Sequence, residues 1–185
     1  EEDTERAAQV DLLIGAIGTV GEDSGDAIRK ARLAFDALTE KQKTLVERAG
    51  ELDAAEQAYN KLKADGVSAA IAAIGEVTLE KEETIFAAQR AYEALTDVQK
   101  ALVTTYPVLK KALETYQDLT AVRPVIELID AIGEVTLDSK NAIDAAVKSY
   151  NGLTGNQQAL VSNYDVLELA VDRYQFLYGI QHTID

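Results

Sequence analysis

The same helical pattern is written three times along this 185-residue chain, and that repetition limits its fold before any motif is considered. Ala-Ile-Gly recurs as Ala16-Ile17-Gly18, Ala73-Ile74-Gly75 and Ala131-Ile132-Gly133, at spacings of 57 and 58 residues. A Leu-Thr-x-x-Gln phrase begins 20 residues after each glycine, at Leu38, Leu95 and Leu153. Each copy closes on a tyrosine and a leucine: Tyr59/Leu62, Tyr116/Leu119 and Tyr174/Leu177. The expected division is 1–64, 65–121 and 122–185, the last including a C-terminal tail. Units this short lie near the lower limit for independent folding, so neighbouring copies are expected to support one another.

Each copy reads as three helices, giving an all-α chain of three tandem three-helix bundles. In the first helix Val10, Leu13, Ile14 and Ile17 form one apolar stripe at helical period. Val67, Ala70, Ile71, Ile74 and Val125, Leu128, Ile129, Ile132 repeat it. Gly18, Gly75 and Gly133 follow the last apolar residue, where a left-handed cap admits glycine at least cost. The second helix carries Ile28, Ala31, Phe35, Leu38, matched by Ile85, Ala88, Tyr92, Leu95 and by Ile143, Ala146, Tyr150, Leu153. In the third copy Asp138 or Ser139 is expected to cap it, with Leu137 as a hydrophobic staple. Gly21-Glu22 replaces Thr-Leu in the first copy, which predicts a looser turn there.

The third helix opens on Thr39…Gln42, Thr96…Gln99 and Thr154…Gln157, three capping boxes in register. Its seam runs through Leu52, Ala55, Tyr59, Leu62 and their equivalents Leu109, Ala112, Tyr116, Leu119 and Leu167, Ala170, Tyr174, Leu177. Gly50, Pro107 and Asp165 occupy one equivalent position and each is poor inside a helix, so a kink or split is expected there. Lys63–Gly66 and Thr120–Pro124 read as short connections between copies. Three helices running up, down and up, joined by short linkers, predict an elongated rod on the order of 100 Å long at 1.5 Å rise per residue.

Chemistry is sparse. Without cysteine the chain has no disulfide framework, thiolate metal site or catalytic thiol. The single histidine, His182, lies in the tail with no partner nearby in sequence. Glu80, Glu82 and Glu83 suit the start of a helix, and no calcium-loop spacing accompanies them. No P-loop, dinucleotide or Gly-x-Ser-x-Gly motif is present. No residue is therefore singled out as catalytic, cofactor-binding or metal-ligating, no cofactor is expected, and the chain is read as non-enzymatic; the residues of any binding site stay unknown. The formal charge of −14 is spread over the three copies and disfavours nucleic acid and anionic lipid. No apolar run is long enough to span a membrane, and a monomer is expected.

Tyr92, Tyr150 and Phe35 fall on one seam and Tyr59, Tyr116 and Tyr174 on another, so packing is their expected role. Tyr106 and Tyr164 sit near the weak point of the third helix, and Phe176 and Tyr178 at the end of the last copy, placed to meet a following domain. Arg29, Lys30 and Arg32 in the first copy become Phe86, Ala87, Gln89 and then Asp144, Ala145, Val147, which reads as drift on a solvated face. No surplus of apolar residues stands out beyond the seams.

Ile-Gly-Glu-Val-Thr-Leu-Asp-Ser-Lys at 132–140, Ala-Tyr-Glu-Ala-Leu-Thr-Asp-Val-Gln-Lys-Ala-Leu-Val at 91–103 and the Tyr-x-x-Leu endings resemble a helical repeat of large secreted and cell-wall-anchored proteins of Gram-positive bacteria. The resemblance covers about residues 10–177 and is closest in the second and third copies. It implies an extracellular or cell-wall location and a modular, non-catalytic role as a spacer or stalk beside neighbouring domains of the same polypeptide. The alternatives are a module binding a host serum protein or cell-wall glycan, and an accessory region of a large secreted hydrolase. The resemblance carries no ligand-binding residues. The missing initiator methionine is expected of an excerpt from a longer or processed chain.

Overall fold

A computed structural model describes residues 1–183, and all regular structure among them is helical. In chain order the α-helices are α1 (Glu2–Gly15), α2 (Gly25–Asp36), α3 (Glu40–Lys43), α4 (Ala49–Ala72), α5 (Glu82–Glu93), α6 (Asp97–Leu102), α7 (Tyr106–Asp130), α8 (Lys140–Asn151), α9 (Gly155–Gln158) and α10 (Tyr164–Thr183). Single 3₁₀ turns at Glu22–Ser24, Leu79–Lys81 and Leu137–Ser139 lead into α2, α5 and α8. The chain divides into two compact units, Glu1–Gly75 with Phe86–Leu109, and Glu76–Ile85 with Lys110–Asp185.

In the first unit α1, α2 and α4 pack pairwise around Ala7, Val10, Ile14, Ile28, Ala31, Val46 and Leu52, with Phe35 and Tyr59 at the rim. In the second unit Val122, Val125 and Ile129 on α7 meet Ile143 and Ala146 on α8 and Leu167 and Ala170 on α10. Both sets are the seams that the 3-4-3 spacing places on one helix face. Tyr150 and Tyr174 pack partly buried against the second core, as their seam positions require.

Helix ends follow local chemistry. Gly18, Gly75 and Gly133 hold φ of 62°, 60° and 59°, the left-handed conformation that closes the first helix of each copy. The third helix is split, into a short α3, α6 or α9 and a long α4, α7 or α10. Gly50, Pro107 and Asp165 do not sit in the gap; each is the second residue of the long helix. A first-turn proline lacks only an N–H that has no intrahelical partner, and a first-turn aspartate meets the positive end of the helix dipole. The second-helix cap also differs from expectation. Ser139 is the N-cap residue of α8, but its side chain accepts no amide of that helix; Thr136 caps the preceding 3₁₀ turn, its Oγ1 accepting from the Asp138 amide at 3.3 Å while its own amide donates to Ser139 Oγ at 3.0 Å. In the first copy the Gly21 amide donates to Ser24 Oγ at 2.9 Å, so the turn forms without the threonine.

The expected connections at Lys63–Gly66 and Thr120–Pro124 are not connections. Both stretches lie inside helices, α4 and α7. The physical reason is the burial on either side of them. Ala64, Val67 and Ile71 on α4, and Val122, Val125 and Ile129 on α7, are at most 5% exposed. Their burial outweighs about 1 kcal/mol for an interior glycine at Gly66 and about 3 kcal/mol for a proline at Pro124. No helix among the described residues is long and apolar enough to cross a membrane.

Candidate functional site

Polar chemistry repeats at one place in every copy. Thr39 and Gln42 satisfy each other's amides, Gln42 N–H to Thr39 Oγ1 at 3.3 Å and Thr39 N–H to Gln42 Oε1 at 3.0 Å. Thr96/Gln99 and Thr154/Gln157 do the same at 3.0–3.4 Å. The glutamine amide is then left with a free N–H, and a second helix uses it. Gln42 Nε2 donates to Asp3 Oδ1 at 2.9 Å, Gln99 Nε2 to Asn60 Oδ1 at 3.0 Å, and Gln157 Nε2 to Asp118 Oδ1 at 2.9 Å. The three acceptors stand 15 residues before each Ala-Ile-Gly glycine, a polar repeat that the apolar pattern hides. Gln42 and Gln99 are 5% and 7% exposed, so both ends of the amide must be matched. Gln99→Ala is expected to cost about 1–3 kcal/mol in chemical denaturation, because it strips a cap and orphans Asn60 together. A cost below about 0.5 kcal/mol would show the tie to be dispensable.

In the first and third copies a second junction joins the end of the first helix to the start of the long helix, with different side chains in each. In the first copy Gly15 leaves room for Arg48, whose Nη1 lies 2.0 Å from where a glycine-to-alanine Cβ would stand. Ala72 and Thr105 occupy these positions in the second copy. In the third, Asn163 Nδ2 donates to Asp130 Oδ1 at 2.8 Å and to the Ile126 carbonyl at 3.1 Å. Asp11 serves the first copy by accepting the Glu47 and Arg48 amides at 3.2 and 2.9 Å. These are joints of the bundle, built from different residues to one end.

The groove between the second helix and the long helix differs most between copies. In the first copy Arg32 fills it. Its Nε and Nη2 donate to Glu56 at 2.6 and 2.7 Å, and Nη2 also reaches Asp53 at 2.5 Å. The guanidinium carbon lies 5.5 Å from the Phe35 ring centroid, and Lys43 Nζ stands 5.9 Å from the same ring. The bond to Glu56, ahead of the opposing effect of burial, holds Arg32 above its ordinary range, so it is charged at any working pH. Arg32 is thus no drifting surface residue: its side chain is 26% exposed and joins α2 to α4. In the second copy Gln89 bonds Glu93 instead, Tyr92 stacks on Tyr106 at 4.2 Å, and Lys100 Nζ lies 5.8 Å from the Tyr92 centroid.

The third copy keeps the tyrosine stack, Tyr150 on Tyr164 at 4.4 Å, and leaves the groove open at about 480 Å³. Val147, Tyr150 and Asn151 on α8 face Tyr164, Leu167, Glu168, Val171 and Asp172 on α10. Desolvation first, and then the Glu168 charge, raises the Tyr164 hydroxyl above its usual range. Away from the groove lining, α10 exposes Val166, Leu169 and Phe176 at 46%, 69% and 64%. This is an apolar surplus beyond the seams that the sequence pattern conceals; Glu51, Ala54 and Lys61 hold the equivalent positions on α4.

Elsewhere the surface is acidic and paired. Lys41 foremost, with Gln42, holds the Asp3 carboxyl below the usual range, and Thr78 does the same for Glu80. No cluster of three or more carboxylate or imidazole groups is placed to hold a metal among the described residues. His182, read as a tail residue, continues α10 in backbone, and its side chain lies outside the described residues. The expected contact of Phe176 and Tyr178 with a following domain involves residues exposed here, at 64% and 48%. No protein-family model, no curated protein and no solved structure matches the chain.

Proposed function

We propose that the segment is a non-catalytic spacer or stalk of a modular bacterial extracellular protein, a rod of three helical copies that sets the distance between neighbouring domains. The observation that carries this reading is α4. It serves as the third helix of the first copy and the first helix of the second, without a loop between them. A helix resists bending where a loop does not, so a joint of this kind transmits position along the chain. The recurring polar joints, Gln42–Asp3, Gln99–Asn60 and Gln157–Asp118, support the same reading because they tie successive helices together. The even acidity of the copies keeps such rods apart from one another. The extracellular location and the Gram-positive source rest on the resemblance of the repeat.

Small-angle scattering of the fragment, alone and with serum proteins or cell-wall glycans, tests the proposal. A particle about 100 Å long, indifferent to every additive, is the expected result. A compact particle would sink the rod. The exposed Val166, Leu169 and Phe176 on α10 favour one second reading, a protein-binding module, and a rise in mass with one additive would establish it.

A further inference from the structure

We infer that the groove between α8 and α10 is a binding site for an arginine side chain of a partner peptide. This goes beyond the spacer reading and stands or falls separately from it. The chain itself supplies the precedent. The same groove in the first copy holds Arg32, with a carboxylate on either side at 2.5–2.7 Å and an aromatic ring 5.5 Å away. Aligned on the repeat, Phe35 becomes Tyr150, Asp53 becomes Glu168 and Arg32 becomes Val147. The ring and one of the two carboxylates are kept, while the cation and its bidentate partner Glu56, here Val171, are lost.

A second loss points the same way. Lys43 and Lys100 each place an ammonium near the aromatic ring of their copies, at 5.9 and 5.8 Å. The third copy has Gln158 there, and its amide donates to the Tyr150 carbonyl at 3.2 Å instead. Tyr150 has thus exchanged both internal cations for neutral groups, in a groove that stays open. Glu168 and Asp172 line that groove; the Tyr164 hydroxyl meets the Glu168 carboxylate, which has no cationic partner among the described residues. A guanidinium entering it would lie along the tyrosine stack and present its fork to Glu168, an arrangement favoured by cation–π attraction and by charge. Leu169 and Phe176, exposed on α10 three residues before and four after Asp172, would seat the aliphatic flank of such a peptide. The chain's charge of −14 adds attraction for a basic segment.

The test is NMR titration of the isotope-labelled chain with an acetylated, amidated hexapeptide of alternating leucine and arginine. The same peptide with citrulline replacing arginine serves as its control. The expected result is amide shifts centred on Tyr150, Tyr164 and Glu168, at least about tenfold weaker binding of the citrulline peptide, and a similar loss in Glu168→Gln. Val147→Arg combined with Val171→Glu rebuilds the Arg32–Glu56 pair in the third copy and is expected to close the site. Should that double variant fail to fold, Glu168→Gln with Asp172→Asn decides the matter alone. Equal binding of the two peptides, shifts spread over the acidic surface of all three copies, no shifts at millimolar peptide, or unchanged binding by the variants would each overturn the assignment.

Discussion

Leu52→Ala is expected to destabilise the first unit by about 3–5 kcal/mol, the range for truncating a large apolar side chain in a rigid core. Leu52 is 0% exposed and packs where α1, α2 and α4 meet, so the cavity it leaves is walled by three helices that hold one another apart. The transfer of its lost methyl groups supplies part of the cost and the unfilled cavity the rest. Thermal or urea unfolding followed by circular dichroism measures it. Leu169→Ala is the control: the same side chain, 69% exposed on α10, is expected to change stability by less than about 0.5 kcal/mol. Comparable losses in the two variants would show that the buried seams are not what holds the helices together.

Gly66 separates a helical junction from a loop by the sign of a substitution. It lies inside α4 with nothing within 4 Å of where an alanine Cβ would stand, so Gly66→Ala should stabilise by about 0.5–1 kcal/mol. Gly66→Pro should cost about 3 kcal/mol or more, since it removes an interior amide donor and pushes the ring against the carbonyl four residues back. The neighbouring burial of Ala64 and Val67, at 1% and 5% exposure, makes that break felt in packing as well as in hydrogen bonding. In a loop both changes would fall within about 0.5 kcal/mol of zero, so a flat response to the pair refutes the shared helix.

The apolar seams, the glycine caps and the capping boxes were legible because each rests on short-range spacing that three copies report in register. The split third helix was legible as well, through Gly50, Pro107 and Asp165, although these residues begin the long helix and do not lie in the break. The shared helices are not legible in the local sequence. Lys63–Gly66 contains a glycine and Thr120–Pro124 a proline, and local propensity points to a boundary that the burial of Val67 and Val125 overrides. The groove was hidden for a different reason. Arg32 lies on α2 and Asp53 and Glu56 on α4, and only the packing of α2 on α4 brings them within hydrogen-bonding distance. Asp3, Asn60 and Asp118 could have been found, since they recur at a fixed distance from each glycine. They are polar, so the apolar periodicity does not carry them.

The tie between Gln99 and Asn60 has a consequence for anyone who would cut this chain into pieces. The sequence repeats at one phase and the hydrogen bonds at another, so a fragment trimmed to open at Asp65 would discard the acceptor that its own glutamine requires, along with the buried Ala64. An excised second copy has to begin several residues inside its predecessor. Grafting such a copy onto another scaffold would succeed only if the host helix supplied an amide or carboxylate oxygen in the place of Asn60.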